Sequence, residues 1–397
     1  MALKYIDDID LDTVVKGKKV IARFDFNVPL SDGQISDTTR VDEALETIKY
    51  ILSGSPKKLI LMSHLGRPKG ERNLKYSLDP VAAYLADKLG EDVILTESCL
   101  DTGIKTLLGL NEGRILLLEN LRFHPEEEAG DHQFAKILAS YADIYVNDAF
   151  GTAHRKHAST YEIVRFFKNR AYGGLLMKKE IKALDVVTAH PQSPFVAIMG
   201  GAKVSDKIKI INRLLTTVDK LLIGGAMAYP FLKARGHEVG KSLCGSEDVT
   251  LAKKILNAKE AKKIVLPIDH IASTGPDGDA TTVNEVNIPE NLMALDIGPA
   301  TLEAYASNLL GAKTILWNGP MGFFEKPAFA AGSLGIAKIL AQSNAYTLVG
   351  GGDSVAAVNQ SGLASKMSHV STGGGASLEY IENGTLPGIQ ALKFGLD

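Results

Sequence analysis

The sequence predicts an α/β protein of two domains, each a doubly wound parallel sheet. Three observations lead there. At 397 residues the chain exceeds the size at which one core stops growing. Short apolar runs recur without polar alternation, so both faces of each strand should be buried, as in parallel sheets. Segments of helical periodicity separate these runs, which implies parallel strands joined by crossovers.

The apolar runs of the first half are 19–24, 59–62, 115–118 and 144–146. They resume at 195–199, 221–223, 264–266, 314–317 and 346–349. Helical periodicity falls at 39–52, 80–89, 206–215, 300–309 and 328–342. The alternation repeats in each half, so two sheets are expected. The boundary is placed at Tyr172-Gly173-Gly174, giving domains 1–172 and 173–389. From 175 to 188, Leu175, Leu176, Leu184 and Val187 interleave with Lys178, Lys179 and Glu180. That pattern reads as a helix linking the domains, ended before Pro191 and Pro194.

Hydrophobic residues make up 45% of the chain and charged ones 23%, ordinary values for a soluble globular protein. A formal net charge of −2 speaks against a nucleic-acid or membrane-surface partner. No apolar run approaches the roughly 20 residues that span a bilayer. Residues 1–12 are acidic and lack an apolar signal region, so export is not expected. Cys99 and Cys244 are too few and too far apart in sequence for a disulfide framework or a zinc site. A cytoplasmic location follows as an expectation.

The strands end in two chemistries. In the first half they lead into Arg23-Phe24-Asp25-Phe26-Asn27, Ser63-His64-Leu65-Gly66-Arg67 and Glu119-Asn120-Leu121-Arg122. Arg40 precedes a helix and Arg155 follows the run 144–146. Ligands of open α/β sheets sit at the carboxyl ends of strands, so Arg40, Arg67, Arg122, Arg155 and His64 should converge there. Guanidinium is permanently charged and matches phosphate and carboxylate bidentately. Asp25 and Asn27 could recognise a substrate hydroxyl, position an arginine, or simply form turns.

In the second half the strands lead into glycine. Neither G-x-x-x-x-G-K-[ST] nor G-x-G-x-x-G occurs, which sets aside Walker-type NTPases and weakens a dinucleotide dehydrogenase. Gly200-Gly201-Ala202-Lys203 and Lys207 instead suggest a helix N-terminus with two lysines on one face beside phosphate. Gly350-Gly351-Gly352-Asp353-Ser354 suggests a second such turn, with Asp353 either a Mg²⁺ ligand or, like Ser354, an N-cap. Ser371-Thr372-Gly373-Gly374-Gly375 is a third. Trp317-Asn318-Gly319-Pro320-Met321-Gly322-Phe323-Phe324-Glu325 could hold an adenosine moiety or pack in the core.

In their order, 23–29, 63–68, 118–127, 146–159, 200–208, 317–325, 350–354 and 369–378 closely resemble the phosphoglycerate kinase family, over nearly the whole chain. The resemblance implies two Rossmann-like domains facing a cleft, joined by a helix, in a monomer. It implies conversion of 1,3-bisphosphoglycerate and ADP to 3-phosphoglycerate and ATP with Mg²⁺, in glycolysis. By it, Asp25, Phe26, Asn27, Arg40, His64, Leu65, Gly66, Arg67, Arg122 and Arg155 bind the phosphoglycerate on the N-terminal domain. Lys203, Lys207, Gly298, Asn318, Glu325, Gly351, Gly352, Asp353 and Ser354 bind the nucleotide on the C-terminal domain, Asp353 with the metal. Arg40, Lys203, Lys207 and the backbone at Gly373 and Gly374 act on the transferring phosphoryl group, and residues 390–397 return to the N-terminal domain. Ala226, Pro230 and Ser354 depart from commoner family patterns.

Two alternatives remain at this point. One is another small-acid acyl-phosphate kinase. The other is a non-catalytic nucleotide-binding protein, against which the presence of Arg40, Lys203 and Asp353 speaks.

Overall fold

A computed structural model describes residues 2–396 of the chain. They form two compact units: residues up to Lys182 together with those from Thr385 on, and Ala183–Gly384. The first residue of the 1–172 segment and the last of the 390–397 tail lie outside the described residues.

The first unit is built on six parallel strands: β1 (Lys19–Arg23), β2 (Lys58–Met62), β3 (Val93–Leu95), β4 (Ile115–Leu117), β5 (Ile144–Asn147) and β6 (Ala171–Gly173). Their order is β3-β4-β2-β1-β5-β6. β1 is central, with Lys19 opposite Lys58 on one side and Val20 opposite Ile144 on the other. Val20, Ala22, Leu59 and Leu61 face a core shared with Ile48 and Ile51 of the helix Thr39–Ser53. Ile21, Ile60, Leu116 and Tyr145 face a second core on the other side. Burial on both faces is why these strands read as unbroken apolar runs. The chain leaves β1 toward β2 but later crosses to β5 on its other side. The loops therefore part at the carboxyl ends of β1 and β5, where a crevice can form.

The helix Pro387–Phe394 also belongs to this unit. Ala391 lies in the second core, and the Gly388 N–H donates to the Ala153 carbonyl at 2.8 Å. The helix Leu175–Thr188 begins on buried acceptors of the first unit. Its Leu175 N–H donates to Thr47 Oγ1 at 3.0 Å and its Met177 N–H to Asp148 Oδ1 at 2.9 Å. The division between the units falls inside this helix, after Lys182.

The second unit carries β7 (Phe195–Met199), β8 (Lys220–Ile223), β9 (Ile264–Val265), β10 (His270–Ser273), β11 (Thr281–Val283), β12 (Met293–Ile297), β13 (Thr314–Asn318), β14 (Tyr346–Gly350) and β15 (His369–Val370). Its main sheet is parallel, in the order β9-β8-β7-β13-β14-β15. From β7 the chain adds β8 on one side and later crosses to β13 on the other, so the loops after β7 and β13 flank this sheet's switch point. A small antiparallel sheet, β11-β10-β12, stands beside it in the sequence.

All nine apolar runs read from the sequence are strands here. Eight strands gave no such run, two of them the short antiparallel pair Leu30–Ser31 and Gln34–Ile35. β3, β6 and β15 are edge strands of two or three residues. β10, β11 and β12 are partly exposed and carry His270 and Asp296, which breaks the continuous apolar signal.

A Cβ at Gly174 would lie 2.2 Å from the Asp148 carboxylate that anchors the linking helix. Gly174→Ala should therefore cost about 1–3 kcal/mol by overpacking. A thermal midpoint equal to that of the unsubstituted protein would contradict this.

Candidate functional site

At the carboxyl edge of the first sheet, hydrogen bonds tie three loops to one glycine. The Asn27 amide oxygen accepts from the Gly66 N–H at 2.8 Å, and Arg122 Nη1 donates to the Gly66 carbonyl at 3.0 Å. Gly66 has φ +62, and a Cβ there would meet the Tyr76 ring at 2.4 Å, so only glycine fits. Asp25 pairs with Arg40 at 3.1 Å, and Arg40 also donates to the Asn27 carbonyl at 3.2 Å. The loops after β1, β2 and β4 are thereby held as one body with the start of the helix Thr39–Ser53.

Arg67 and Arg155 are exposed. Arg67 has no hydrogen-bond or ion-pair partner among the described residues, while Arg155 Nε lies 3.1 Å from His154 Nε2. Arg122 is mostly buried, 3.3 Å from Glu128. Phe26 and Leu65 have buried side chains, so only their backbones can meet a ligand.

His64 stands beside Arg23 in this cluster. It does not add a positive charge to the arginines. The ring is buried, and burial above all, then Arg23, Arg122 and Arg40, holds its pKa well below the usual histidine value. It is a neutral hydrogen-bonding group at neutral pH.

In the second unit the glycine loops are stitched to one another. The Gly201 N–H donates to the Pro320 carbonyl, the Gly225 N–H to Met321 and the Met227 N–H to Gly201. A Cβ at Gly200 would lie 2.0 Å from the Pro320 carbonyl, so the loops after β7 and β13 approach too closely for any side chain. Lys207 fastens them further, donating to the Gly200 carbonyl at 2.8 Å and to Asn318 Oδ1 at 2.6 Å. The other end of the Asn318 amide donates to the Gly350 carbonyl at 2.6 Å. Burial pushes the Lys207 amine down to about 8, against the nearby Asp353 and Asp206.

Lys203 and Lys207 do not share a helical face, contrary to the sequence expectation. The segment after Gly201 (φ +110) is irregular, a 3₁₀ turn runs Ser205–Lys207, and the α-helix starts only at Ile208. Lys203 is an exposed loop residue. Nor do Asp353 and Ser354 act as N-caps. Gly351, at φ +91, occupies that position before the helix Gly352–Gln360. Ser354 is buried, accepting from the Gly319 N–H at 2.9 Å and donating to the Gly350 carbonyl at 2.6 Å. The Asp353 carboxylate is exposed and makes no hydrogen bond or ion pair among the described residues. Gly374, at φ +54, stands at the start of the helix Gly375–Asn383. Gly373 beside it donates to Ser371 Oγ at 3.2 Å.

Beside these loops lies a cavity of about 340 Å³, walled by Gly201, Gly225, Ala226, Tyr229, Leu243, Ala294 and Phe323, with Glu325 and Asp353 on its polar side. Its lining is mostly apolar, as a flat aromatic ligand requires. Phe323 lines it, whereas Phe324 packs in the core. Gly298 is not brought to this cavity. It precedes the helix Pro299–Leu309, and a Cβ there would meet the Asp269 carboxylate at 2.2 Å, so its reason for being glycine is local.

A family model described as phosphoglycerate kinase matches residues 6–384. The chain belongs to the phosphoglycerate kinase family. It is 52% identical to a phosphoglycerate kinase of Anaeromyxobacter sp. (strain Fw109-5), over 99% of this chain and 100% of that one. It is 47% identical to one of Pelotomaculum thermopropionicum, over 99% of each. Two solved structures are similar throughout: phosphoglycerate kinase from Coxiella burnetii, with TM-score 0.87 and 38% identity, and from Pyrococcus horikoshii OT3, with TM-score 0.84 and 31% identity, each covering 99% of both chains.

For this phosphoglycerate kinase family member, sequence reasoning missed the groups that hold the site from behind. Arg23, Glu127 and Ser159 form a buried network under His64. Asp296 is buried under the cavity wall, where it accepts from the N–H groups of Gly332 at 2.7 Å and Ile297 at 2.9 Å. A charged residue within an otherwise apolar stretch was the available signal for Asp296 (Met293-Ala294-Leu295-Asp296-Ile297).

Burial pushes the Asp296 carboxyl from 3.8 up to about 7, against those hydrogen bonds. Between those values the folded state holds more protons than the unfolded one. The contribution of Asp296 to stability therefore falls as pH rises from about 4 to about 7. Relative to Asp296→Asn, the unsubstituted protein should lose thermal stability across that window. Parallel curves for the two proteins would refute the assignment.

Proposed function

We propose that the chain transfers a phosphoryl group reversibly from 1,3-bisphosphoglycerate to ADP, giving 3-phosphoglycerate and ATP. The observation that carries the reading is the division of labour between the sheets. Charged side chains gather at the carboxyl edge of one, and close-packed glycine loops beside an apolar cavity form that of the other. In the ATP-consuming direction the attacking group is a carboxylate, already ionised at neutral pH. No general base is needed, which suits a site supplied with cations and neutral donors.

In this reading the first unit, with the returning terminal segment, is the phosphoglycerate domain and the second the nucleotide domain. Arg67, Arg122 and Arg155 hold the far phosphate of the acid, and His64 adds a hydrogen bond. Asp25 and Asn27 orient the acid and Arg40. Arg40 and Lys203 meet the transferring phosphoryl group, with Lys207 and the backbone at Gly373 and Gly374 on the nucleotide side. The nucleoside enters the cavity beside Phe323 and Glu325, and its phosphates lie along Gly351, Gly352 and Asp353. Direct in-line transfer requires the two ligands to meet, so the units must close on each other during turnover. A monomer belongs to the same reading. A cytoplasmic enzyme of glycolysis is the corresponding cellular reading.

Asp353 would hold Mg²⁺. Its carboxylate is exposed at the first turn of a helix behind three glycines, and Mg²⁺ binds through one or two carboxylates with phosphate oxygens and water. No group of three His, Cys, Asp or Glu residues makes an all-protein cage among the described residues, which suits a metal shared with phosphate. When bound, the ion would offset the negative charge of the nucleotide phosphates.

ATP turnover with 3-phosphoglycerate should be high and fall on removal of Mg²⁺. Acetate in place of 3-phosphoglycerate should support none, and turnover with acetate would favour the other small-acid kinase. Arg40→Ala should lower kcat by roughly 10²–10⁵, the upper part being the effect of arginines that stabilise transferring phosphoryl groups. A near-normal kcat would remove Arg40 from the proposed role. Asp353→Ala should raise the Mg²⁺ concentration needed for half-maximal turnover, which a magnesium titration checks.

A further inference from the structure

Arg23 ends β1 with only 1% of its surface exposed, too deep to touch a ligand itself. Each arm of its guanidinium has an acceptor. Nε donates to Ser159 Oγ at 2.9 Å, Nη1 to the Phe24 carbonyl, and Nη2 lies 3.2 Å from His64 Nδ1. Arginine has donors only, so His64 Nδ1 must be the acceptor and the ring proton must sit on Nε2. The other candidate partner of Nδ1, Asp25 Oδ1, is 3.8 Å away, beyond hydrogen-bond reach. Protonating Nδ1 would break the Arg23 contact and set a second cation against a guanidinium.

Arg23 is itself fixed. Ser159 Oγ donates to Glu127 Oε1 at 2.6 Å, and the Ser159 N–H donates to Oε2 at 3.0 Å. Glu127 is fully buried and supplies the balancing negative charge through the serine. Arg122, Arg40 and His157 also act on the ring, and Asp25 stands 3.8 Å from it.

We propose that Arg23 is a positioning residue that locks His64 in the Nε2–H tautomer, so that the ring offers the bound acid a fixed neutral donor and not a titrating cation. The proposal rests on reading this cluster as the phosphoglycerate site. Arg23 reaches the bound acid only through His64. Its loss should weaken acid binding more than it slows phosphoryl transfer, and should leave the nucleotide side untouched.

The test is nitrogen-15 NMR of the histidine side chains, with steady-state kinetics, for the unsubstituted protein and for Arg23→Met, Arg23→Lys and Ser159→Ala. In the unsubstituted protein His64 should carry its proton on Nε2 alone from about pH 6 to 8, the range in which an ordinary histidine titrates. Its Nε2 resonance should move when 3-phosphoglycerate is added. Arg23→Met should give a tautomer mixture that titrates in that range. Its KM for 3-phosphoglycerate should rise roughly ten- to hundredfold, as for loss of a hydrogen bond to a charged group, with kcat and the KM for ATP little changed. Arg23→Lys, which restores one donor, should recover part of the loss. Should Arg23→Met fail to fold, Ser159→Ala, which frees Nε, should show the same changes in smaller degree. A protein whose His64 carries its proton on Nδ1, or titrates normally, overturns the proposal. So does an unchanged tautomer in Arg23→Met, or in Ser159→Ala if that variant must stand in. A locked His64 that ignores added 3-phosphoglycerate refutes the site reading instead, and with it the functional half of the proposal.

Discussion

A guanidinium and a carboxylate, both sealed from water and joined through one serine hydroxyl, underlie the charged edge of the first sheet. Arg23 and Glu127 are each costly to bury alone. Removing one partner of such a buried arrangement typically costs about 3–5 kcal/mol, because the other is left uncompensated. Ser159 lets each meet an acceptor or donor without direct contact. The end of β1, the loop carrying Ser159 and the short helix Pro125–Ala129 carrying Glu127 are thereby fixed together. Around this buried core of charge, the exposed Arg67 and Arg155 can present themselves without being the groups that hold the loops in place.

The second unit meets the same problem with backbone. Where the first ties its loops through side chains converging on Gly66, the second brings carbonyls and N–H groups so close that Gly200 and Gly225 admit no Cβ. Lys207 and Asn318 then brace the turns from behind. Both solutions serve one requirement. At a switch point the strands' loops diverge, and something must hold them in fixed relation while leaving the crevice open.

The parallel strands were legible because burial on both faces leaves an uninterrupted apolar run. The linking helix was legible from its periodicity and the prolines after it. Edge strands such as β3 and β15 were not, since a run of two or three residues carries no pattern. The exposed arginines of the site could be read from their place after strands. The groups beneath them could not, because nothing local distinguishes a buried Arg23 from its exposed counterparts. His64 was read with the arginines because sequence shows what a residue is, whereas its charge depends on burial and neighbours. The two lysines after Gly200 were placed on one helix because a 3₁₀ turn and a late helix start leave no mark in residue spacing.

The docking of the helix Pro387–Phe394 bears on the order in which the molecule can be completed. Ala391 fills part of a core whose other members lie before residue 170, and Gly388 holds the carbonyl of Ala153, two residues ahead of Arg155. The second unit is one continuous stretch, Ala183–Gly384, while the first is closed only by residues from Thr385 on. On the ribosome, the half of the protein made first is therefore the half finished last. Until the helix Pro387–Phe394 is translated, it must persist with part of one core open to solvent, and the loop bearing Arg155 lacks its last support.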